Sequence, residues 1–293
     1  MIGAHVSSSG GFNVALDRAK DLNVPVIQLF LQSPRMWKPA NLKVSDKELF
    51  LTKLAQYRIN HCQIKVYCHA SYLINLASLD SSLTENSINA LINSLIICDE
   101  LKFEGIVLHV GSTKNDDKTH GLETVATRLN QVLDNTDNCK IFLENTAGAG
   151  FTLGKTFEEL SHIQELIQQP SRIGFCLDTQ HLFASGITFD THRQVLDIAT
   201  KISKTVKTID VIHLNDSKTK CGSNVDRHEN LGHGFIGNKS LSLFIGSPYF
   251  RDKPLILEVP GPEKNGPTQK DIRTAKRLLL AGIKLWDNFN SSR

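Results

Sequence analysis

Eight short apolar runs recur along the chain, at residues 2–6, 26–31, 64–68, 105–110, 140–144, 173–177, 211–214 and 254–259. Most are rich in Val, Ile, Leu and Phe without polar alternation, as strands covered on both faces are. Between them lie apolar residues at helical spacing, at 83–98, 121–133, 156–167 and 193–206, with a closing helix expected at 271–285 and a frayed end after it. Strand–helix alternation repeated eight times predicts an α/β fold, a (β/α)8 TIM barrel with its active site at the C-terminal face of the strands. Each unit would span about 37 residues, comfortable for that architecture. No Pro- or Ser-rich linker interrupts the pattern, so residues 1–293 are expected to form a single domain.

The strand ends carry the chemistry. His69 follows the third run, His109 lies in the fourth, and Glu144 ends the fifth. Asp178 follows the sixth, His213 lies in the seventh, and Glu258 lies in the eighth. Successive steps are 40, 35, 34, 35 and 45 residues. Barrel topology turns that spacing into proximity, because the C-terminal strand ends converge on one face. His181 follows Asp178 by three residues, and Asp226 and His228 flank Arg227 in a polar loop. Nine His, Asp and Glu residues are thus candidates for one site. Imidazole and carboxylate donors without thiolate suit a catalytic zinc or manganese centre. Nine donors exceed what one tetrahedral ion needs, so two or three ions sharing a bridging carboxylate would use them.

A lone His at a strand end is usually a satisfied polar group, and a lone Asp or Glu there is usually a cap or an ion-pair partner. Six successive strand ends carrying only such types outweigh that explanation. His61, His120, His162 and His192 have no such company and read as surface or core residues; His5 is the exception, because it ends the first run. The six cysteines show no C-x-x-C pair, and a chain of this size builds its own core, so reduced, mostly buried thiols in the cytoplasm are expected. Cys68 and Cys176, beside candidate ligands, read as core. Composition is ordinary for a globular protein, with 40% hydrophobic and 22% charged residues, which excludes whole-chain disorder. No apolar stretch suits a membrane span, and the N-terminus has neither a signal-peptide nor a transit-peptide pattern. The net charge of +3 permits a nucleic-acid partner without requiring one.

Several longer motifs run nearly end to end: IGAHVSSSGG (2–11), HASYLINLAS (69–78), VLHVGS (107–112), FLENTAG (142–148), GFCLDTQHLFASG (174–186), IHLNDSKTKCGSNVDRHENLGHGFIG (212–237) and LILEVPG (255–261). In these the chain closely resembles the endonuclease IV family of apurinic/apyrimidinic (AP) endonucleases, AP endonuclease family 2. The resemblance implies a xylose-isomerase-like TIM barrel with three zinc ions per chain. His69 and His109 would hold the first, with Glu144 bridging to a second completed by Asp178, His213 and Glu258. His181, Asp226 and His228 would hold the third. It further implies hydrolysis of the phosphodiester bond 5′ to abasic sites in duplex DNA, leaving a 3′-hydroxyl and a 5′-deoxyribose phosphate. Removal of 3′-blocking groups and a place in base excision repair follow from the same likeness.

Glu144 and Glu258 would be the catalytic carboxylates. Arg35, Tyr72 and Leu73 at the barrel mouth, and Arg227 in the ligand-bearing loop, would contact DNA. Taken alone, Arg35 reads as an ordinary loop charge, Tyr72 as a packed aromatic and Leu73 as core. Trp37 reads as a loop anchor, and Lys218 and Lys220 as further phosphate contacts. Lys201, Lys204 and Lys207 read as a solvated helix face. Three positions depart from the family pattern without touching a ligand: Ala149 stands where glutamine is usual, Gln180 where cysteine is usual, and Val259 in Leu257–Pro260 where the family has a LETP-like ending. A metal-dependent sugar isomerase on the same barrel is the rival reading; five imidazoles among nine donors argue against it. A non-enzymatic binder of abasic DNA is the other rival, and the complete donor set argues against that. A monomer is expected.

Overall fold

The computed structural model describes residues 1–59, 62–114 and 117–292. Eight parallel strands close into a barrel: Ile2–His5, Val26–Leu29, Lys65–His69, Gly105–Leu108, Ile141–Glu144, Ile173–Asp178, Val211–His213 and Leu255–Leu257. They follow chain order around the barrel, and the first closes on the eighth with Ile2 beside Leu255. Each of these strands overlaps one expected run, with Lys65–His69 and Ile173–Asp178 ending one residue past theirs, so the (β/α)8 architecture is as the sequence predicts. The ends differ because strand-like composition continues into the mouth loops after pairing has stopped.

Side chains alternate across a strand, and this alternation builds the barrel interior in layers. Val26, Tyr67, Val107, Phe142, Cys176, Val211 and Ile256 form one buried apolar cluster, one residue from each of seven strands. Two residues further along the same seven segments stand Gln28, His69, His109, Glu144, Asp178, His213 and Glu258. An apolar plug therefore seals the barrel directly beneath a polar layer at its C-terminal mouth. The alternate, outward-facing positions join the larger core between barrel and helices, as Val66, Cys68, Leu143, Phe175 and Leu257 do.

The expected helices are present as Ser81–Glu100, Lys118–Asp134, Phe157–Glu165, His192–Lys204 and Gln269–Ser291. The last runs through Ser291, beyond the expected frayed end. Most begin with a side-chain cap: Asp80, Asp117, Thr156 and Thr191 each accept a first-turn N–H. Four further helices lack an equally legible pattern: Phe12–Leu22, Val44–Gln56, Thr179–Ala184 and Gly237–Ile245. Lys43 and Ile236 offer no capping side chain, and Gly237–Asn238 opens the last with a turn-like pair. Thr179–Ala184 is a single short element capped by Asp178. Cys68, Cys98, Cys139 and Cys176 are buried free thiols and Cys221 is an exposed one. His61 and the side chain of Cys62 lie outside the described residues. Among the described residues no helix is long and apolar enough to cross a membrane.

The closing helix packs against Gly237–Ile245 through glycine. A Cβ on Gly282 would overlap the Ser242 carbonyl oxygen, and one on Gly246 would overlap the Gly282 backbone. Gly282→Ala must force these backbones apart, so it should melt at least about 3 °C below the wild type in a thermal scan. An unchanged melting temperature would show that the crossing relaxes freely.

Candidate metal centre

Barrel strands deliver His69, Glu144, Asp178 and His213 at their last residues, and His109 and Glu258 one residue beyond. Glu144 lies at the hub. Its Oε2 is 2.9 Å from His109 Nε2 and 3.3 Å from His69 Nε2. Its Oε1 is 2.8 Å from His213 Nδ1 and 3.5 Å from His181 Nδ1. From the next strand, Glu258 Oε2 is 3.1 Å from His213 Nδ1. The antiparallel pair Asp216–Ser217 and His228–Glu229 folds the following loop back over the mouth. It brings Asp226 Oδ2 to 3.3 Å from His181 Nε2, and Asp226 Oδ1 to 3.4 Å from His228 Nε2. All nine donors read from the sequence thus meet in one region.

Overlapping groups emerge: His69, His109 and Glu144; Glu144, Asp178, His213 and Glu258; Asp178, His181 and His228; His69, His213 and Glu258; and Glu144, Cys176 and His213. Within each, one donor atom per residue lies within 4.8 Å of the others.

Ring orientation shows what these groups fit. His69 Nδ1 is 2.8 Å from the Ala70 carbonyl, and His181 Nδ1 is 2.9 Å from the Asn145 carbonyl. A carbonyl only accepts, so these nitrogens donate and each Nε2 is left as the lone-pair nitrogen of the neutral ring. For His213 the anchor is Gln28, whose Oε1 accepts from His213 Nε2 at 2.9 Å. The Gln28 amide is itself fixed by donating from Nε2 to Glu258 Oε1 at 2.6 Å and to His5 Nδ1 at 3.1 Å. In each ring the free nitrogen then faces a carboxylate oxygen. Lone pair against anion is repulsive unless a cation lies between them. Around a tetrahedral ion with bonds of about 2.0 Å, neighbouring donors sit about 3.3 Å apart, the spacing seen here. His181 Nε2 and His228 Nε2 are moreover buried without a hydrogen-bond partner. The residues fit bound divalent metal.

Without metal, protons take the cation's place. Burial acts to raise the Glu144 carboxyl, but the imidazoles of His109 and His213 outweigh it and hold it well below the usual carboxylate range. Glu258 is held low in the same way, chiefly by His213, against its own burial. Burial acts to lower His181, yet Asp178, Asp226 and Glu144 raise it well above the ordinary histidine value. His213 is likewise raised against burial, by Cys176, Glu258 and Glu144.

The structure adds residues that the strand-end pattern does not reveal. Asn215 donates to Asp178 Oδ2 at 2.6 Å, and its Oδ1 accepts from the Glu258 amide at 3.0 Å. Asn145 Oδ1 accepts from the Asp178 amide at 2.7 Å. Asp216 is fully buried and is no ligand: its carboxylate accepts from the amides of Ser217, Gly232, Gly234, Ile236 and Gly237, at 2.7–3.3 Å. It organises the loop that follows the metal-facing hairpin. The available signal was adjacency, since Asn145 follows Glu144 and Asn215–Asp216 lies just past His213.

The candidate DNA contacts lie on the rim. Tyr72 is 57% exposed, with its ring centroid 5.5 Å from His69 and 5.3 Å from Phe30, edge-on to both. It lines a cavity of about 340 Å³ with His69, His109 and Asp226. Leu73 is half-buried and Arg35 exposed. Their loops are joined where the Tyr72 amide and the Ser71 hydroxyl both donate to the Pro34 carbonyl. Arg227 is exposed beside Asp226. Of the histidines set aside, His192 stacks on Phe289, and His120 is exposed on the helix Lys118–Asp134. His5 borders the site, 3.4 Å from Glu258 Oε1.

Fold and site together define a TIM-barrel enzyme built to hold metal ions at the C-terminal mouth of its barrel. Residues 16–280 match the family described as xylose isomerase-like TIM barrel. The chain is 35% identical over 263 residues to the probable endonuclease 4 of Persephonella marina, spanning 88% of this chain and 90% of the relative. It is 35% identical over 286 residues to that of Thermosipho melanesiensis, spanning 97% and 99%. The crystal structure of endonuclease IV from Thermus thermophilus superposes with a TM-score of 0.81 at 30% identity, covering 96% of this chain and 99% of that one. The chain belongs to the endonuclease IV family, and it is an enzyme of the endonuclease class.

The two raised imidazoles carry a sign that can be checked. Their contribution to stability is present below the ordinary histidine pKa and is lost as pH rises through the higher folded value. Glu144 and Glu258 act oppositely: their contribution is present above the ordinary carboxylate pKa and lost only as pH falls through the depressed value. Metal-free protein should therefore lose melting temperature as pH rises above the ordinary histidine range, while metal-loaded protein should not. Metal uptake at neutral pH should release about two protons per chain, from His181 and His213. Calorimetry in buffers of different ionisation enthalpy measures this, and uptake without proton release would show neutral rings before binding.

Proposed function

We propose that this chain is a zinc-dependent AP endonuclease of base excision repair. It hydrolyses the phosphodiester bond 5′ to an abasic site in duplex DNA and leaves 3′-hydroxyl and 5′-deoxyribose phosphate ends. The observation that supports this most is the convergence of five imidazoles and four carboxylates on one mouth, with the rings of His69, His181 and His213 each anchored so that a lone pair faces an anion. Three zinc ions use the set: one at His69, His109 and Glu144, one at Glu144, Asp178, His213 and Glu258, and one at His181, Asp226 and His228. When bound, zinc lowers the pKa of water to about 7 and neutralises charge that builds on the phosphate oxygens.

The chain's own residues supply the rest. Glu144 offers one oxygen to the His69–His109 side and the other to the His213 side, so it serves two ions at once. Glu258 faces His213 from the neighbouring strand end, and Gln28 keeps it there. Together the two carboxylates border the place where water attacks and act as the catalytic residues. The reaction breaks the bond from phosphorus to the 3′-oxygen, which leaves as the new hydroxyl. Removing a 3′-blocking phosphoester breaks the same kind of bond, so the same site performs both.

An abasic nucleotide has lost stacking and pairing, so bending the duplex and extruding it costs less than for an intact one. Tyr72, Leu73 and Arg35 occupy one corner of the mouth, where they fill the gap left in the helix. Arg227 meets a backbone phosphate beside the third ion. The enzyme works as a monomer and as one domain spanning residues 1–293. Its buried free thiols agree with a reducing cytoplasm.

The deciding assay uses duplex DNA with a single tetrahydrofuran abasic analogue, which cannot break by β-elimination. Zinc-replete protein should cut directly 5′ to the analogue without added Mg²⁺, and a zinc-chelated arm should not cut. Elemental analysis should give close to three zinc ions per chain. Glu258→Gln should abolish cutting while largely keeping DNA binding, and Tyr72→Ala should reduce the preference for abasic over intact duplex. An uncut analogue with zinc-replete protein would overturn the assignment.

A further inference from the structure

Gln180 lies between Asp178 and His181 on the short helix Thr179–Ala184 and is fully buried. We propose that it is a positioning residue for the third ion, holding the Asp226–His228 segment against the helix that carries His181. This rests on the three-zinc reading of the site.

Both amide protons of Gln180 are spent on one loop. Nε2 donates to Ser217 Oγ at 3.2 Å, where the chain enters the loop. It also donates to the Val225 carbonyl at 3.0 Å, one residue before Asp226. A single side chain on the helix therefore ties down both ends of the segment from Ser217 to Val225. The tip of that segment is held separately, by the amides of Gly222 and Asn224 donating to the Phe183 and Ala184 carbonyls.

Asp226 has most to lose from a loose loop. It is the most exposed of the nine donors, at 54% of its side chain, and its described partners are the imidazoles of His181 and His228. Its approach to those rings is set by the backbone beside Val225. Gln180 Oε1, meanwhile, is buried without a hydrogen-bond partner. An unpaired buried oxygen works against folding. A residue serving the fold alone gains nothing from that oxygen, whereas one that must present two N–H groups to the loop carries it unavoidably.

The partners of Gln180 keep other bonds if it is replaced. The Val225 carbonyl also accepts from Thr219 Oγ1 at 3.3 Å, and Ser217 Oγ also donates to the Thr219 carbonyl at 2.8 Å. Gln180→Met, of similar length but without a donor, should therefore loosen the loop and leave the barrel intact. Gln180→Leu repeats the deletion with a different shape, which separates loss of the donor from a packing defect of one side chain.

The experiment loads each protein with zinc and follows release to a chromophoric chelator, alongside thermal melting of the metal-free forms. In both variants one of the three ions should leave about tenfold faster or more, while the other two keep the wild-type rate. The metal-free melting temperatures should stay within about 2 °C of wild type. Three unchanged release phases, or three phases accelerated together, overturn the proposal. A wild-type chain that binds fewer than three zinc ions overturns the three-ion reading itself and the proposal with it.

Discussion

The carboxylate of Glu144 has no solvent exposure and meets four imidazoles within 3.5 Å. Burying a carboxylate costs several kcal/mol even after the protein relaxes. A single opposite charge about 4 Å away returns roughly 4 kcal/mol at an effective dielectric constant of 20. One partner barely offsets the burial, whereas several make the ionised state secure. This explains why the imidazoles come as a set and why those of His69, His181 and His213 are held by a second bond: a ring free to turn would leave the anion uncompensated. It also makes protons and metal ions competitors for the same gaps. Rings held by Ala70, Asn145 and Gln28 have little to rearrange when one replaces the other.

The barrel supports this arrangement by stacking a dry layer directly beneath it. In seven segments the inward residue two positions before the polar one is apolar. Water has no route up through Val26, Tyr67, Val107, Phe142, Val211 and Ile256, so the charges above must satisfy one another. Cys176 belongs to that lower layer although it borders Glu144 and His213. Burial, the largest influence, pushes its thiol up to about 12. Without metal it therefore stays a protonated residue of that layer.

Strand ends were legible because two independent patterns coincide there. Apolar runs mark the strands, and ligand-type residues recur at one βα interval, so topology alone brings His69, His109, Glu144, Asp178, His213 and Glu258 together. Gln28 was not legible, since one amide in an apolar strand carries no periodic signal; only the structure shows it bridging His213 and Glu258. Asp216 was hidden for a different reason. It is a carboxylate beside ligands, yet its acceptor capacity is spent on five loop amides, a role fixed by loop geometry that sequence spacing does not encode. The helix Gly237–Ile245 was missed because its opening reads as a turn and its inner face is defined by close approach to Gly282.

The rim residues stand apart from the donors in how they are held. His69 is fixed on both ring nitrogens, whereas Tyr72 beside it projects into the cavity with only edge-on ring contacts behind it. Arg35 and Arg227 are exposed. Chemistry that depends on distances of a few tenths of an ångström calls for the first kind of residue, since small misplacements of reacting groups are costly. A surface that must follow a bent, distorted duplex calls for the second, because its side chains move with little strain. Tyr72 touches both regimes: its ring rests on His69, a donor, while its face is open to the mouth. A duplex that displaces this ring presses on the first metal group, and one that leaves it in place meets the site as it stands. On the proposed function, selection of a lesion and arrangement of the reacting groups would be coupled through these two rings, whose centroids lie 5.5 Å apart.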